Sequence, residues 1–443
     1  MKIGLFDHMG YGNLGDAATQ EALIANIKTR LPNAEIIGFS LNPVDTRRRH
    51  NIPSYSITNW HPGLDRPETN NVNASDSRPR LKSTLKKIPI LYPIAFWTRE
   101  IVRETVHLGR SFKVLRSLDT LIIAGGGQLG ELWRGPWAHP YNVFKFCALT
   151  KLANRKLVFL NVGAGPLDSS LGKAFVRRSI NLADYVSFRD VESQALVQRL
   201  RVKRNTFVFP DSVYALDISK YESVNSVKPL RPLVGLNPIG FCDPRSWCKS
   251  DVSAYSRYLS KLADFVVWLV SHDYGVRLFS GEKSVDMWAL VDIRERLRKR
   301  LLPADIDEIC LPPSSTVNDL LNEMSRFDFV VTSKFHGVVF SHLLEKPVIA
   351  LSYHNKIEDR MKSLGHSQYC LKIENFDHEG LTKAFTALVR DAEKLRSEFH
   401  QASGTYANAL KAQFDELFIP ENLQTHSLES RAKRNGAIIS GSL

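Results

Sequence analysis

The chain runs to 443 residues, 43% hydrophobic and 24% charged, the balance of an ordinary globular protein and more than one hydrophobic core absorbs, so two or three domains are expected. Its formal charge of +13 calls for an anionic partner, but no zinc-finger spacing, RNA-recognition signature or basic-zipper heptad accompanies it, so no nucleic-acid partner is expected. The five cysteines, Cys147, Cys242, Cys248, Cys310 and Cys370, form no CxxC pair, which argues against a zinc site or a disulfide framework and for a reducing compartment.

A first strand is predicted at 2–6, followed by the glycine turn Gly10-Tyr11-Gly12-Asn13-Leu14-Gly15-Asp16 and a helix over 17–29. Glycines here let the backbone approach a ligand, and Asn13 or Asp16 is placed to cap the helix. A plain tight turn explains the same residues. The pattern is not GxGxxG and no acidic residue stands ready for a ribose, so a dinucleotide is a poor fit. The strand passes straight into this turn without the apolar core of a signal peptide, and the run 88–97 has about half the length of a spanning helix. A soluble, cytoplasmic chain is expected.

After a strand at 35–40 the sequence changes character. Pro, Asn, Ser and Arg dominate 46–79, and an irregular basic insertion is expected near 45–116. Arg78, Arg80, Lys82, Lys86 and Lys87 precede the run Ile90 to Trp97, and Arg99 and Arg103 follow it. Basic flanks around aliphatic and aromatic residues suit a peripheral contact with an anionic membrane at its inner face; a core helix with solvated basic ends suits them slightly better.

The strand 118–124 ends in Gly125, Gly126 and Gly127, which cost strand stability and permit close approach. Gln128, Glu131, Trp133 and Trp137 follow in a loop and are candidate acceptor-pocket residues. Helix 141–152, strand 156–162, helix 171–183, strand 185–188, helix 191–200 and strand 206–209 continue the alternation, delivering Arg189-Asp190 and Pro210-Asp211 to strand ends. This alternation is the signature of a parallel sheet with helices on both faces. A polar, proline-containing stretch over 217–232 separates a domain 1–217 from a second, 233–420. The second has strands 233–237 and 276–280, helices 254–272 and 287–301, a short strand at 309–311 and a helix at 317–325. Helices within 381–413 close it, and 421–443 is expected to be a disordered tail. The fold class is therefore α/β, two doubly wound Rossmann-like domains facing across a cleft.

One stretch organises the second domain. The apolar run 327–331 leads into Thr332-Ser333-Lys334-Phe335-His336-Gly337, then an apolar helical pattern, Pro347 and the strand 348–351. This is a βαβ crossover. Ligands bind at the carboxyl ends of strands in such sheets, where Lys334 and His336 fall, with Tyr353 and Lys356 at the end of the next strand. Two basic side chains, an imidazole and a helix N-terminus suit an anionic ligand. Taken alone, His336 reads more readily as a helix-capping or packing residue.

In order along the chain stand GNLGD at 12–16, AGGG at 124–127, Gly163-Ala164-Gly165-Pro166, Phe188-Arg189-Asp190, Pro210-Asp211, Ser333-Lys334-Phe335-His336-Gly337 and a proline, strand and Tyr-x-x-Lys ending at Lys356. Together these motifs resemble the polysaccharide pyruvyl transferase family, whose fold is similar to that of the two-domain GT-B glycosyltransferases. The resemblance implies phosphoenolpyruvate as co-substrate and donor, no other cofactor and no metal. It also implies a glycan acceptor with two hydroxyls, free or lipid-linked, and a pyruvate ketal product. By resemblance Arg189, Lys334, His336 and Lys356, with Gly125, Gly126 and Gly127, hold the donor. His336 moves a proton, and Asp16 or Asp211 is the acceptor's base. Asn13, Gln128, Glu131 and Trp133 are the candidate acceptor contacts. The family usually carries Arg where this chain has Lys334, and Lys lacks the planar bidentate fork. Two rival readings are a GT-B glycosyltransferase with a nucleotide-sugar donor and a non-catalytic binder of anionic glycans or membrane surfaces.

Overall fold

A computed structural model describes residues 1–6, 10, 12–59, 91–131, 135–222, 231–247, 249–310 and 312–418, with backbone alone at 91–97, 220, 222 and 283–285. The expected tail 421–443, the basic residues 78–87 and Trp133 lie outside the described residues.

By contact density the chain divides into two compact units. Unit 1 comprises 1–10, 33–186 and 196–205; unit 2 comprises 11–32, 187–195 and 206–443. Unit 1 carries strands β1 (Lys2–Phe6), β2 (Glu35–Ser40), β3 (Ser54–Ser56), β4 (Thr120–Ala124), β5 (Lys156–Val162) and the first half of β6 (Tyr185–Phe188). They are ordered β3-β2-β1-β4-β5-β6, the order of a doubly wound Rossmann sheet. The pairs β1·β2, β1·β4, β2·β3 and β4·β5 are parallel. Every residue of β4 is buried, because crossover helices cover both faces of a parallel sheet and a continuous β-branched and aliphatic run is what such a strand needs.

Within unit 2 the second half of β6 pairs in parallel with β7 (Phe207–Val208). The second sheet is β12-β11-β10-β8-β9, built from β8 (Leu233–Asn237), β9 (Gly275–Leu278), β10 (Phe329–Thr332), β11 (Val348–Ser352) and β12 (Cys370–Lys372). All its pairs are parallel. The order reverses between β8 and β10, which makes their carboxyl ends the topological switch point where ligands bind in open sheets.

The helices are α1 (Leu14–Arg30), α2 (Pro43–His50), α3 (Leu91–Arg116), α4 (His139–Leu152), α5 (Ser170–Leu182), α6 (Val191–Gln198), α7 (Val252–Ser271), α8 (Lys283–Leu297), α9 (Pro303–Ile309), α10 (Val317–Ser325), α11 (Phe335–Leu343), α12 (Asn355–Ser363), α13 (His378–Arg390) and α14 (Ala392–Phe418). A single turn at Ser219–Glu222 is left unnumbered. Capping chemistry fixes several starts. Asn13 caps α1, and Thr316 with Asp319 forms a capping box on α10. Among the described residues no helix is long and apolar enough to cross a membrane.

Two expectations are corrected. The insertion is not irregular throughout: Asn42 caps α2, β3 joins the sheet, and α3 fills 91–116. Within the stretch, Asn51 closes α2 in the left-handed region and Ser54 and Ser56 belong to the edge strand, so their composition mimics a loop. The strand expected at 309–311 is also absent from the described residues, where Pro303 opens α9 and Ile306 and Ile309 are its buried positions. Three apolar residues in a row did not reveal that spacing of three.

Candidate functional site

The β10–α11 turn in unit 2 is built by hydrogen bonds that the sequence supplies locally. The buried Thr332 hydroxyl donates to Asn237 Oδ1 at 3.0 Å and accepts the Lys334 N–H at 3.1 Å. Asn237, the last residue of β8, in turn donates to the Phe279 carbonyl at 2.9 Å. The carboxyl ends of β8 and β10 are thereby tied together, and Lys334 becomes the N-cap residue of α11 with His336 in its first turn.

His336 is enclosed. Its Nε2 is buried without a hydrogen-bond partner among the described residues, and Asp211 Oδ2 stands 4.0 Å away. Burial pushes the imidazole pKa below its usual 6.5, with Asp211 and Asp16 opposing that shift and Arg189 and Lys334 adding to it. The ring is therefore neutral near pH 7. Gly15, in the first turn of α1, packs so tightly on it that a β-carbon there would fall 2.1 Å from Nδ1. The GNLGD loop that brings Gly15 and Asp16 here is held by Asn13, whose side chain accepts from Gly15 N at 2.9 Å and Asp16 N at 3.4 Å, and by the Leu14 N–H donating to Gly281 O at 2.8 Å. Asn13 is thus the helix cap, one of the two residues the sequence left open.

Arg189 follows β6 and is almost wholly buried. Its guanidinium lies over the Phe335 ring at 4.2 Å and its Nη1 is 3.4 Å from Asp211 Oδ2, while Nε is 3.4 Å from Asp190. Asp211 also caps the turn after β7 by accepting the Val213 N–H at 3.1 Å. Lys356 stands in the first turn of α12; burial, reinforced by Arg189 and opposed by Asp190, lowers its pKa to about 8. One turn further on, Arg360 donates to the Tyr214 hydroxyl and lies between the rings of Tyr214 and Tyr406, 5.3 and 5.2 Å from their centroids. This half-buried cation ties α12 to the turn that Asp211 caps.

Lys334 pairs with a different set of carboxylates. Its ammonium bonds Glu282 and lies 3.1 Å from Asp286 Oδ2. Burial alone would lower its pKa, but Asp286 and Glu282 outweigh burial and hold it above the usual value. Burial raises the Asp286 carboxyl to about 6, against Lys334 and with Glu282. Glu282 and Asp286 were not singled out in the sequence, although Gly281-Glu282 at the end of β9 carried the same positional signal as Lys334.

The structure thus brings Asn13, Asp16, Arg189, Asp211, Lys334, His336 and Lys356 together in unit 2. The other candidates among the described residues lie in unit 1. Gly125 and Gly126 take positive φ of 57° and 48° at the end of β4, which only glycine adopts freely; Gly127 does not. Gln128 is buried, and its amide is used by Ala124 O at 3.4 Å and His139 Nε2 at 3.0 Å. Glu131 accepts from the N–H groups of Asp168 and Ser169 and from the Ser169 hydroxyl, organising the start of α5.

A family model described as polysaccharide pyruvyl transferase matches residues 13–355, more than half of the chain. The chain belongs to the polysaccharide pyruvyl transferase family. This enzyme family is the one the motifs resemble, and the match contains Arg189, Asp211, Lys334 and His336 and ends one residue before Lys356. Among solved structures this pyruvyl transferase family member is similar to UDP-GlcNAc 2-epimerase from Neisseria meningitidis bound to UDP-GlcNAc, at 10% identity and a TM-score of 0.54, covering 90% of this chain and 94% of that one. It is also similar to Anabaena Alr3699/HepE in complex with UDP, at 15% identity and a TM-score of 0.52, covering 98% and 100%. The S. aureus MnaA–UDP structure gives 13% identity and a TM-score of 0.53, covering 94% and 96%. At these identities the likeness establishes a shared fold, GT-B-like with two Rossmann-like sheets. No curated protein matches the sequence.

Proposed function

We propose that this protein transfers the pyruvyl group of phosphoenolpyruvate to two hydroxyls of a glycan, free or lipid-linked, forming a cyclic pyruvate ketal and releasing inorganic phosphate. The observation that carries the reading is His336 Nε2, buried and without a partner, beside Asp211 and at the end of a turn flanked by Arg189 and Lys356. A neutral imidazole in that setting is a base for a hydroxyl proton, and the imidazolium it becomes is stabilised by Asp211.

In the proposed sequence one acceptor hydroxyl adds to C2 of the donor. His336 takes its proton and returns it to the C3 methylene, which becomes the methyl group. The second hydroxyl then displaces phosphate from C2 and loses its proton, with Asp16 or Asp211 as the acceptor of that proton. Arg189 and Lys356 offset the charge on the donor's carboxylate and on the departing phosphate, and the first N–H groups of α11 add oriented dipoles. The ammonium of Lys334 lies against two carboxylates, one of them fully buried, so we assign it an orienting part. The reaction belongs to the cytoplasmic side, where phosphoenolpyruvate is available, and contact with an anionic membrane would bring a lipid-linked acceptor within reach.

The test is thermal denaturation of wild type and His336→Ala with phosphoenolpyruvate, UDP or UDP-sugars. A ligand at about a hundred times its dissociation constant adds about 2.7 kcal/mol. Stabilisation by phosphoenolpyruvate that weakens in the variant supports the proposal; stabilisation by the UDP ligands alone sinks it.

A further inference from the structure

Two groups of charges flank the β10–α11 turn. On one side the cations of Arg189 and Lys356 stand with the carboxylates of Asp190 and Asp211. Around Lys334 a single ammonium faces the two carboxylates of Glu282 and Asp286, a setting that repels a phosphate and a carboxylate alike. What lies beside this acidic side is aromatic. Tyr353 directly follows β11, remains 40% exposed, and stands near enough to Lys334, Glu282 and Asp286 to feel their charges. Its ring meets Trp247 edge-to-face at 5.5 Å, and Trp247 meets the buried Phe241 in the same way at 5.7 Å. Trp247 lies in the loop after β8 and Lys334 in the turn after β10, so the cluster sits at the switch point of the second sheet. Among the described residues the Tyr353 hydroxyl has no hydrogen bond.

We propose that Tyr353 and Trp247, with the Glu282 carboxylate, form the platform that binds a sugar ring of the glycan acceptor. This proposal rests on the transferase reading above and names where its acceptor sits. A pyranose ring has an apolar face of C–H bonds, which packs on the electron-rich face of an aromatic ring, and an edge of hydroxyls that donate well to a carboxylate. Tyr353 offers the face and Glu282 the acceptor. Lys334 holds Glu282 in place, and Trp247 braced on Phe241 holds Tyr353, so the platform is rigid before the sugar arrives. A neutral polyol is the ligand class that gains from an aromatic face and a carboxylate without loss to the surrounding negative charge. The arrangement also gives Lys334 its use: it orients the Glu282 carboxylate, a task that needs a point charge more than a planar fork.

Saturation-transfer NMR with methyl β-D-galactopyranoside, methyl β-D-glucopyranoside and methyl α-D-mannopyranoside tests the platform on wild type, Tyr353→Ala, Tyr353→Phe and Glu282→Gln. The expected result is transfer to at least one glycoside in wild type. It should fall about tenfold in Tyr353→Ala, the scale of one lost stacking contact, and persist in Tyr353→Phe. Glu282→Gln should weaken it as well, while the thermal shift given by phosphoenolpyruvate stays as in wild type for both Tyr353 variants. Equal transfer in wild type and Tyr353→Ala, or no transfer from any glycoside to wild type, overturns the proposal. Failure of the donor reading shows separately, as absence of a phosphoenolpyruvate shift in wild type, and does not touch the glycoside signal.

Discussion

Gly15 and His336 are in direct contact, the backbone of one against the ring of the other, so that a β-carbon at position 15 would fall 2.1 Å from Nδ1. Gly15 sits in the first turn of α1, where alanine is a better helix former than glycine by about 1 kcal/mol. Gly15→Ala therefore isolates the clash. The variant is expected to lose about 1–3 kcal/mol from overpacking. Displacement of the imidazole is expected to cost about a hundredfold in turnover. Chemical denaturation alongside ketal formation measures both, and turnover within a few-fold of wild type would show that the ring's placement is unimportant.

The roles proposed for His336 and Lys356 predict a bell-shaped pH profile. His336 has its pKa pushed below 6.5 by burial, and as a base it must be neutral, so activity falls on acidification only once the pH drops below 6.5. Lys356 is lowered to about 8 and must be protonated to attract an anion, so donor affinity declines as pH rises past that value. A bound dianion favours the charged amine and moves the alkaline limb of kcat above that of kcat/KM. Lys356→Arg, permanently charged, should carry the alkaline limb upward and leave the acid limb in place. An unmoved alkaline limb in that variant would remove Lys356 from donor binding.

Lys334 is expected to matter for stability as well as for turnover. Removing it leaves Asp286, which is fully buried, and Glu282 beside each other without a counter-charge. The loss in Lys334→Ala should be on the order of 3 kcal/mol, as for other buried pairs deprived of one partner. Lys334→Ala with Asp286→Ala should recover part of it, because the surviving carboxylate can relax towards water. A double-mutant cycle by urea denaturation gives the coupling. Strict additivity of the two substitutions would mean that the pair does not interact.

Much of this was legible in the sequence, for identifiable reasons. Strands 2–6, 35–40, 156–162, 185–188 and 233–237 were found at their observed bounds because each is a short apolar run closed by Gly, Asn, Ser, Arg or Asp at its carboxyl end, where the chain leaves the sheet. Helix 317–325 was found because its cap and its buried spacing agree. Lys334, His336 and Lys356 were placed at strand ends by the same reasoning. Hidden from it was everything that depends on partners distant in sequence. No pattern at Lys334 announces that Glu282 and Asp286, roughly 50 residues upstream, take up its charge, and nothing in GNLGD says that its second glycine makes room for a histidine from α11. In the loop after β4, where acceptor contacts were expected, residue types suited to a pocket are also residue types suited to holding backbone: Gln128 and Glu131 bond the turn after β4 and the start of α5.

Glu131 offers the sharpest separation of those two uses. One of its oxygens accepts the N–H groups of Asp168 and Ser169 and the other accepts the Ser169 hydroxyl at 2.5 Å, while Ser169 caps α5 by accepting from Gly172 N at 3.0 Å. The β-carbon that Gly172 lacks would collide with this carboxylate, so the side chain is seated in a place made for it. If Glu131 only organises this turn, Glu131→Ala should cost about 1–2 kcal/mol, the worth of a helix N-cap with its charge at the positive end of the dipole. Glu131→Gln should recover part of that cost, since the amide oxygen still accepts. Neither change should move the acceptor KM. A role in acceptor binding predicts the reverse: Glu131→Gln would raise the acceptor KM several-fold at nearly unchanged stability, because a sugar hydroxyl loses its charged acceptor while the backbone bonds survive. Urea denaturation paired with steady-state kinetics at saturating phosphoenolpyruvate distinguishes the two, and the geometry around Ser169 favours the first.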